Sequence, residues 1–351
     1  MTDIQPDIDS AVDFLVGLLN TPSPTGYTSE GIAYCEAAFG ALGVPGMKLA
    51  RTRKGGLLMQ WAGEGRGQVG VTAHVDTLGL MVKEIKPNGA LRMTRLGGIV
   101  YNSIEGENVT VRTFDDRRYR GTVLLNDPAA HVNRDVHTGV RDEYTMEVRL
   151  DERTSSAAQT RALGIEVGDF IFVDPRVEVL PSGFIRSRFL DDKAGVACVY
   201  AAVAALAGAG MRPANDTTIL LSNYEEVGHG GASDWSPQLD EYLCVDMAAI
   251  GIGQNSTEFD CTICVKDASG AYSYEMIRRL RDICEVYGIP YKTDVYPIYS
   301  SDGSAYWAAG GAARVGLIGP GVSGSHSYER THRDSLAATA RLISQYLLSA
   351  L

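Results

Sequence analysis

The stretch that most limits what this chain can become is residues 217–231, TTILLSNYEEVGHGG. Thr218, Ile219, Leu220 and Leu221 form an apolar, β-branched run that predicts a buried strand. Two adjacent carboxylates, Glu225 and Glu226, follow, and then a glycine-rich loop. Bare acids side by side at the end of a core strand are costly unless something positive sits beside them. An acidic surface turn would need neither so apolar a strand nor Gly228, Gly230 and Gly231, which let backbone pass close to a neighbour. Taken alone the motif leaves both readings open.

A chain of 351 residues has room for two domains, or for one large domain carrying an insertion. Its 45% apolar and 21% charged residues are those of an ordinary globular protein. The charge balance of 32 − 43 = −11 repels phosphate backbones, which argues against nucleic acid and anionic membranes as partners. The opening MTDIQPDIDS carries no basic region followed by an apolar one, so no secretory signal is read there and a cytoplasmic location is expected. No apolar run reaches the roughly 18 residues of a membrane-spanning helix. The most apolar segment, 194–209, is alanine-rich and reads as a buried core helix. Six cysteines, at 35, 198, 244, 261, 264 and 284, read as reduced core residues. Cys261 and Cys264 form a CxxC, but within a predicted strand positions three apart point to opposite faces, so they are taken as packing residues.

The chain opens with an amphipathic helix marked by Ile8, Val12, Leu15 and Leu19, which the proline-containing loop from Thr21 ends. A second helix is predicted over 29–42, with Thr28 as N-cap and Gly43 after its end. Strands follow at 57–61 and 69–72, the second running into Ala73-His74-Val75-Asp76. If that strand persists, His74 and Asp76 share a face, and an acid beside a histidine fixes its tautomer. From 79 to 175 short alternating segments separated by turn residues, including Asn88-Gly89, predict an inserted β-sandwich or barrel. His131 and His137 lie there in a polar loop and read as solvated. The α/β pattern then returns. Asp191 and Asp192 open the alanine-rich helix, where acids suit the helix dipole, and the strand 241–245 ends on Asp246. A helix over 274–287, strands at 291–295 and 313–318, a glycine-rich loop to His326 and a final helix from 334 complete the chain.

Strands alternating with helices imply a mixed α/β sheet, and ligands of such sheets collect at the carboxyl ends of the strands. His74, Asp191, Glu226, Asp246 and His326 each follow a predicted strand or lie near one. Two imidazoles and three carboxylates suit borderline divalent ions, and they suffice for two ions about 3.5–4 Å apart if one carboxylate bridges. A pair of ions lowers the pKa of a shared water, and one glutamate of the 225–226 pair is then left to shuttle its proton.

The segments AHVDTLG, FLDDKAG, YEEVGHGGAS, CVDM and the glycine-flanked SHSYE, in this order along the whole chain, resemble the M42 family of dinuclear metallo-aminopeptidases. The SPTGYT start and SHSYERTH ending look closest to a branch associated with bacterial osmoprotectant-dipeptide gene clusters. The resemblance implies a three-layer α/β/α metallopeptidase domain with a mixed sheet, formed by 1–78 and 176–351. It implies an inserted small β-barrel-like domain at 79–175 that mediates dimerisation or assembly. It also implies two divalent metal ions per subunit, zinc or cobalt. His74 would bind one metal with Asp76 orienting it, Asp191 would bridge both with Asp192 in support, Asp246 would complete the first site, and Glu226 and His326 the second. Glu225 would be the general base and acid. Short peptides would be the substrates, and a homo-oligomer, dimer or dodecamer, the assembly. Two positions depart from the pattern: Lys193 stands where arginine is common, and Val322–Ser325 differ from the usual run before the last histidine.

Three other readings compete with an aminopeptidase. A metal-dependent amidase or deacylase acting on a small modified dipeptide would use the same metals. A serine hydrolase would use Ser323 or Ser325 near His326, although GVSGSH lacks the full GxSxG elbow. A non-catalytic scaffold would keep the fold without needing every ligand and the base. His229 is read as a bystander in the glycine loop, His332 as a cap or surface group at the last helix, and Asp302 as a residue lining the pocket.

Overall fold

The structure is a computed structural model describing residues 3–65 and 67–351. Its contacts divide the chain into two compact units, one formed by residues up to Thr77 together with Arg176–Leu351, the other by Leu78–Pro175.

The first unit is a three-layer α/β/α fold built on a 13-stranded mixed sheet. At its centre four strands run parallel: Asp216–Ser222, Gln68–His74, Glu241–Val245 and Arg314–Ser323. Their interiors are mostly Val, Ile, Leu and Ala, close to the continuous apolar run expected of strands covered on both faces. The helix Leu190–Gly208 packs on Gln68–His74 and against the helices Ile8–Leu19 and Arg333–Leu348. Its alanines allow this close approach, and 14 of its 19 residues are buried.

Register decides what this sheet presents at one edge. Ser222 lies opposite His74, Cys244 opposite Thr72, and Val245 opposite Ile318. The residues that leave three neighbouring strands at their carboxyl ends therefore emerge side by side. His74, Asp246 and the Glu225–Glu226 turn are among them.

The second unit is a closed six-stranded antiparallel barrel, in the order Gly79–Ile85, Leu91–Leu96, Met146–Leu150, Arg118–Leu125, Asn108–Arg112 and Phe170–Val173. Alternation of inward valines and leucines with outward polar residues sustains it, as in Arg118–Leu125, where Gly121, Val123 and Leu125 are buried. Asn88-Gly89 forms the predicted hairpin turn, with Gly89 at φ +86°.

Several local expectations shift. Thr28 does not cap its helix with its side chain; the hydroxyl donates instead to the Gly55 carbonyl at 2.9 Å, because this segment packs against the 52–56 turn. The predicted strand at 313–318 runs on to Ser323, and the strands Met47–Arg51, Phe184–Ser187 and Glu329–His332 were not anticipated. Those three are short and carry polar residues at two or more positions, so no periodicity marks them; they form only because neighbouring strands supply partners. All six cysteines are buried and unpaired. Among the described residues no helix is long and apolar enough to cross a membrane.

Candidate metal centre

His74 is the last residue of its strand and is buried. Its Nδ1 lies 2.8 Å from the backbone carbonyl of Asp76, which leaves Nε2 to face the carboxylates of Asp191, Glu225 and Asp246. The Asp76 carboxylate stands 3.7 Å from the ring, because the strand stops at His74 and the chain turns. That carboxylate is instead held by Thr25, whose hydroxyl donates at 2.7 Å, and by the backbone amides of Glu225 (3.2 Å) and Glu226 (3.3 Å). Asp76 thus links the histidine to the glutamate turn.

Asp191 and Asp192 are joined by a cis peptide and depart from helical geometry, so neither belongs to a regular first turn. This departure turns the Asp191 carboxylate into the cavity, where Oδ1 lies 3.2 Å from His74 Nε2 and Oδ2 lies 3.5 Å from His326 Nε2. Ser325 donates its hydroxyl to Asp191 Oδ2 at 3.2 Å. Asp192 accepts the His74 amide at 3.3 Å and the Gly195 amide at 3.2 Å, fixing the start of the regular helix. Its neighbour Lys193 is buried and donates to the carbonyls of Leu18 (2.9 Å) and Thr21 (2.8 Å), which ties the first helix to this segment.

Glu225 opens a short 3-10 turn, Glu225–Val227, after Tyr224 at φ +76°. Oε2 of Glu225 lies 3.7 Å from His74 Nε2, and Oε2 of Glu226 lies 3.6 Å from His326 Nε2. The glycines after the pair are required by Asp302 and Tyr242. A Cβ on Gly230 would fall 2.5 Å from Asp302 Oδ1, and one on Gly231 would fall 2.3 Å from the Tyr242 hydroxyl. Asp302 accepts the Gly231 amide at 2.6 Å and the Ser222 hydroxyl at 2.5 Å, so it clasps both ends of the loop carrying the glutamates. It lies behind that loop and does not line the cavity. His229 is exposed and stacks on Tyr224, with ring centres 5.2 Å apart, outside the cavity wall. His332 accepts the Asp334 amide and caps the last helix.

The donors fall into two groups: His74, Asp191 and Asp246, and Asp191, Glu226 and His326. In each group one ligand atom per residue lies within 4.8 Å of the others, and Asp191 belongs to both. His74 Nε2, Glu226 Oε1 and Asp246 Oδ1 are buried without a hydrogen-bond partner, which is unusual for native polar groups. Burial, with the surrounding acids adding to it, pushes the carboxyls of Glu225 and Glu226 well above the usual range and that of Asp246 to about 8. Burial acts on Asp191 in the same direction, but the imidazoles of His326 and His74 hold it below the ordinary value. A cluster so rich in desolvated carboxylates fits divalent cations, which would neutralise the charge and engage the orphaned atoms.

One contributor goes unmarked in the sequence reading. Glu329 is buried and accepts the backbone amides of Asp191 and of His326, each at 3.1 Å. It stands inside the SHSYE motif, three residues after His326, a spacing at which a side chain reaches back to an amide of its own turn.

A histidine–carboxylate cluster at the carboxyl edge of a mixed α/β sheet defines an α/β metallohydrolase. The comparisons with known proteins narrow the class. The family model described as M42 glutamyl aminopeptidase matches residues 55–342, and the chain belongs to that family. It is 44% identical to YhfE of Bacillus subtilis (strain 168) over 343 residues, 97% of this chain and 98% of the relative. It is 28% identical over 181 residues to the lysyl aminopeptidase of Pyrococcus furiosus, about half of each chain (51% and 50%). Among solved structures, the PhTET1-12s dodecamer superposes with a TM-score of 0.84 at 21% identity, covering 97% of this chain and 99% of that one. The aminopeptidase APDkam598 from Desulfurococcus kamchatkensis gives a TM-score of 0.86 at 22% identity, with 98% and 96% covered. The protein is a metal-dependent aminopeptidase, a hydrolase of peptides.

Proposed function

We propose that the enzyme releases the N-terminal residue of short peptides using two divalent ions per subunit, with Glu225 as proton shuttle. The observation that carries this reading is the pair of donor groups meeting at Asp191. His74 and Asp246 would hold one ion, Glu226 and His326 the other, and Asp191 would contribute an oxygen to each. The imidazole and carboxylate donors suit zinc or cobalt. Bound there, such ions supply Lewis acidity and make water acidic enough to lose its proton near neutral pH.

The remaining work falls to side chains of the chain itself. Glu225 belongs to neither donor group, yet its carboxylate reaches into the same cavity. Burial raises its affinity for a proton, so it can take one from water and hand it to the departing amine. Asp76 steadies this residue through the amides of Glu225 and Glu226. The acids of the cavity are complementary to the free α-amine of a peptide.

A homo-oligomer, dimer or dodecamer, is part of this reading. Its support is the dodecamer of the structural neighbour and the large apolar side chains the inserted barrel leaves exposed, among them Phe114 and Val132 at 70% and 78%. Six unpaired cysteines suit a reducing cytoplasm.

The test is a Glu225→Gln variant assayed with free and N-acetylated dipeptides. Two metal ions per chain with loss of hydrolysis is the expected result, and the acetylated peptide resists the parent enzyme. Normal turnover by the variant would remove Glu225 from the mechanism, and cleavage of the acetylated peptide alone would make the enzyme a deacylase.

A further inference from the structure

The cavity that holds the acids and His326 has a volume of about 540 Å3, and its far wall is of different chemistry. Met247, Ala249, Ile250, Tyr296, Ile298 and Tyr299 form it. Its tyrosine hydroxyls are engaged within the protein, that of Tyr299 also on the Asp246 carboxylate at the acid side. Tyr299 donates its hydroxyl to the Met247 carbonyl at 3.1 Å, and the Tyr296 hydroxyl pairs with Ser256 at 2.5 Å. Gln254, also on the wall, directs its amide nitrogen to Asp294 (3.2 Å) and to the Val295 carbonyl (2.9 Å). Beside Ser300, this wall offers the cavity mainly aliphatic side chain and aromatic ring, with the rings of Tyr296 and Tyr299 5.2 Å apart.

Among the described residues no lysine or arginine lines this cavity, and its acids are Asp191, Glu225, Glu226 and Asp246. A substrate glutamate would therefore bring a carboxylate to an apolar wall without a cation, which is unfavourable. A substrate lysine would find anions only where the metal ions and the α-amine compete for them. An apolar side chain loses water at no such cost. The side chain concerned is that of the first residue, since it shares its Cα with the amine and carbonyl that must meet the acids.

From this we infer that the enzyme selects peptides whose N-terminal residue is uncharged and apolar, of leucine, methionine or phenylalanine size. This rests on the aminopeptidase reading above, and it differs from the glutamyl and lysyl preferences in the names of its family and of one relative.

The test uses the metal-loaded enzyme with two dipeptide series, X-Ala and Ala-X, where X is Ala, Leu, Met, Phe, Glu or Lys. In the X-Ala series kcat/KM for Leu, Met and Phe exceeds that for Glu and Lys by about tenfold or more, the scale on which pockets discriminate side chains. Free leucine also binds the Glu225→Gln protein more tightly than free glutamate or lysine in calorimetry. Ile298 is 96% exposed, so Ile298→Arg leaves the fold intact and raises the Glu-Ala to Leu-Ala ratio several-fold; Ile250→Arg does the same from inside the wall. Preference for Glu or Lys, control by the second residue, or ratios unmoved in both variants would overturn the inference while leaving an aminopeptidase. Failure to cleave any member of either series would instead sink the aminopeptidase reading, and this inference with it.

Discussion

The carboxylate of Glu329 accepts the backbone amide of Asp191 at 3.1 Å, 138 positions away in the chain. Its other oxygen accepts the amide of His326. One buried acid thus sets the distance between two proposed metal ligands without touching the cavity itself. Glu329→Ala leaves two amides without this partner and should cost about 1–3 kcal/mol of stability per unsatisfied buried group. Metal affinity should fall on the order of 10–100-fold, as for other residues that orient ligands. Titration against a competing chelator measures this. Glu329→Gln, which keeps one accepting oxygen, should recover part of the affinity; equal loss in both variants would show that charge, not positioning, matters.

Asp191 and Asp246 should differ in what their loss removes. Asp191 belongs to both donor groups and Asp246 to one. Asp191→Asn should empty both sites, whereas Asp246→Asn should leave about one ion per chain. Elemental analysis after dialysis distinguishes them, and equal stoichiometry in the two variants would contradict a shared Asp191.

Stability should depend on pH in opposite ways with and without metal. In the metal-free fold Asp246 keeps its proton up to about 8, but an unfolded aspartate loses it near 3.8. Between those values the unfolded chain binds fewer protons, so stability falls as pH rises. Glu225 and Glu226, also raised by burial, act in the same direction. Asp191, held low by its imidazoles, opposes this only below about pH 4, where its loss of charge costs stability. Metal binding displaces the protons and grows stronger with pH. The Tm of chelator-treated protein should therefore drop from pH 5 to 8 while the gap to the metal-loaded protein widens. A constant gap would refute the linkage.

Gly230→Ala probes the glutamate loop. The added Cβ would meet Asp302 Oδ1 at 2.5 Å and the Glu225 backbone nitrogen at 2.7 Å, so Glu225 must move. Since displacements of about 1 Å can cost 10²-fold in rate, kcat should fall by about that factor with KM little changed. A matching loss in Gly228→Ala, whose added Cβ meets nothing within 4 Å although its φ is +86°, would point to backbone strain as the cause.

The residues at strand ends were legible early because a run such as Thr218–Leu221 must be buried, and an acid following such a run must emerge at a sheet edge. His74, Asp246 and the Glu225–Glu226 turn carry that signal. Asp191 was found by the same logic but with the wrong local geometry, since acids at a helix start ordinarily belong to its first turn. The placement of Asp302 on the cavity wall failed because sequence position does not distinguish the front of a loop from its back.

Apolar periodicity and the order of acids and histidines along the chain were enough to establish an α/β sheet, an inserted β module and the residues that could meet a cation. These are local properties, written within a few residues of one another. Which amide Glu329 accepts, where Asp76 directs its carboxylate, and which side chains form the cavity wall were decided by the folded molecule alone. Each depends on register between strands and turns separated by tens to hundreds of positions, and no local pattern encodes that distance.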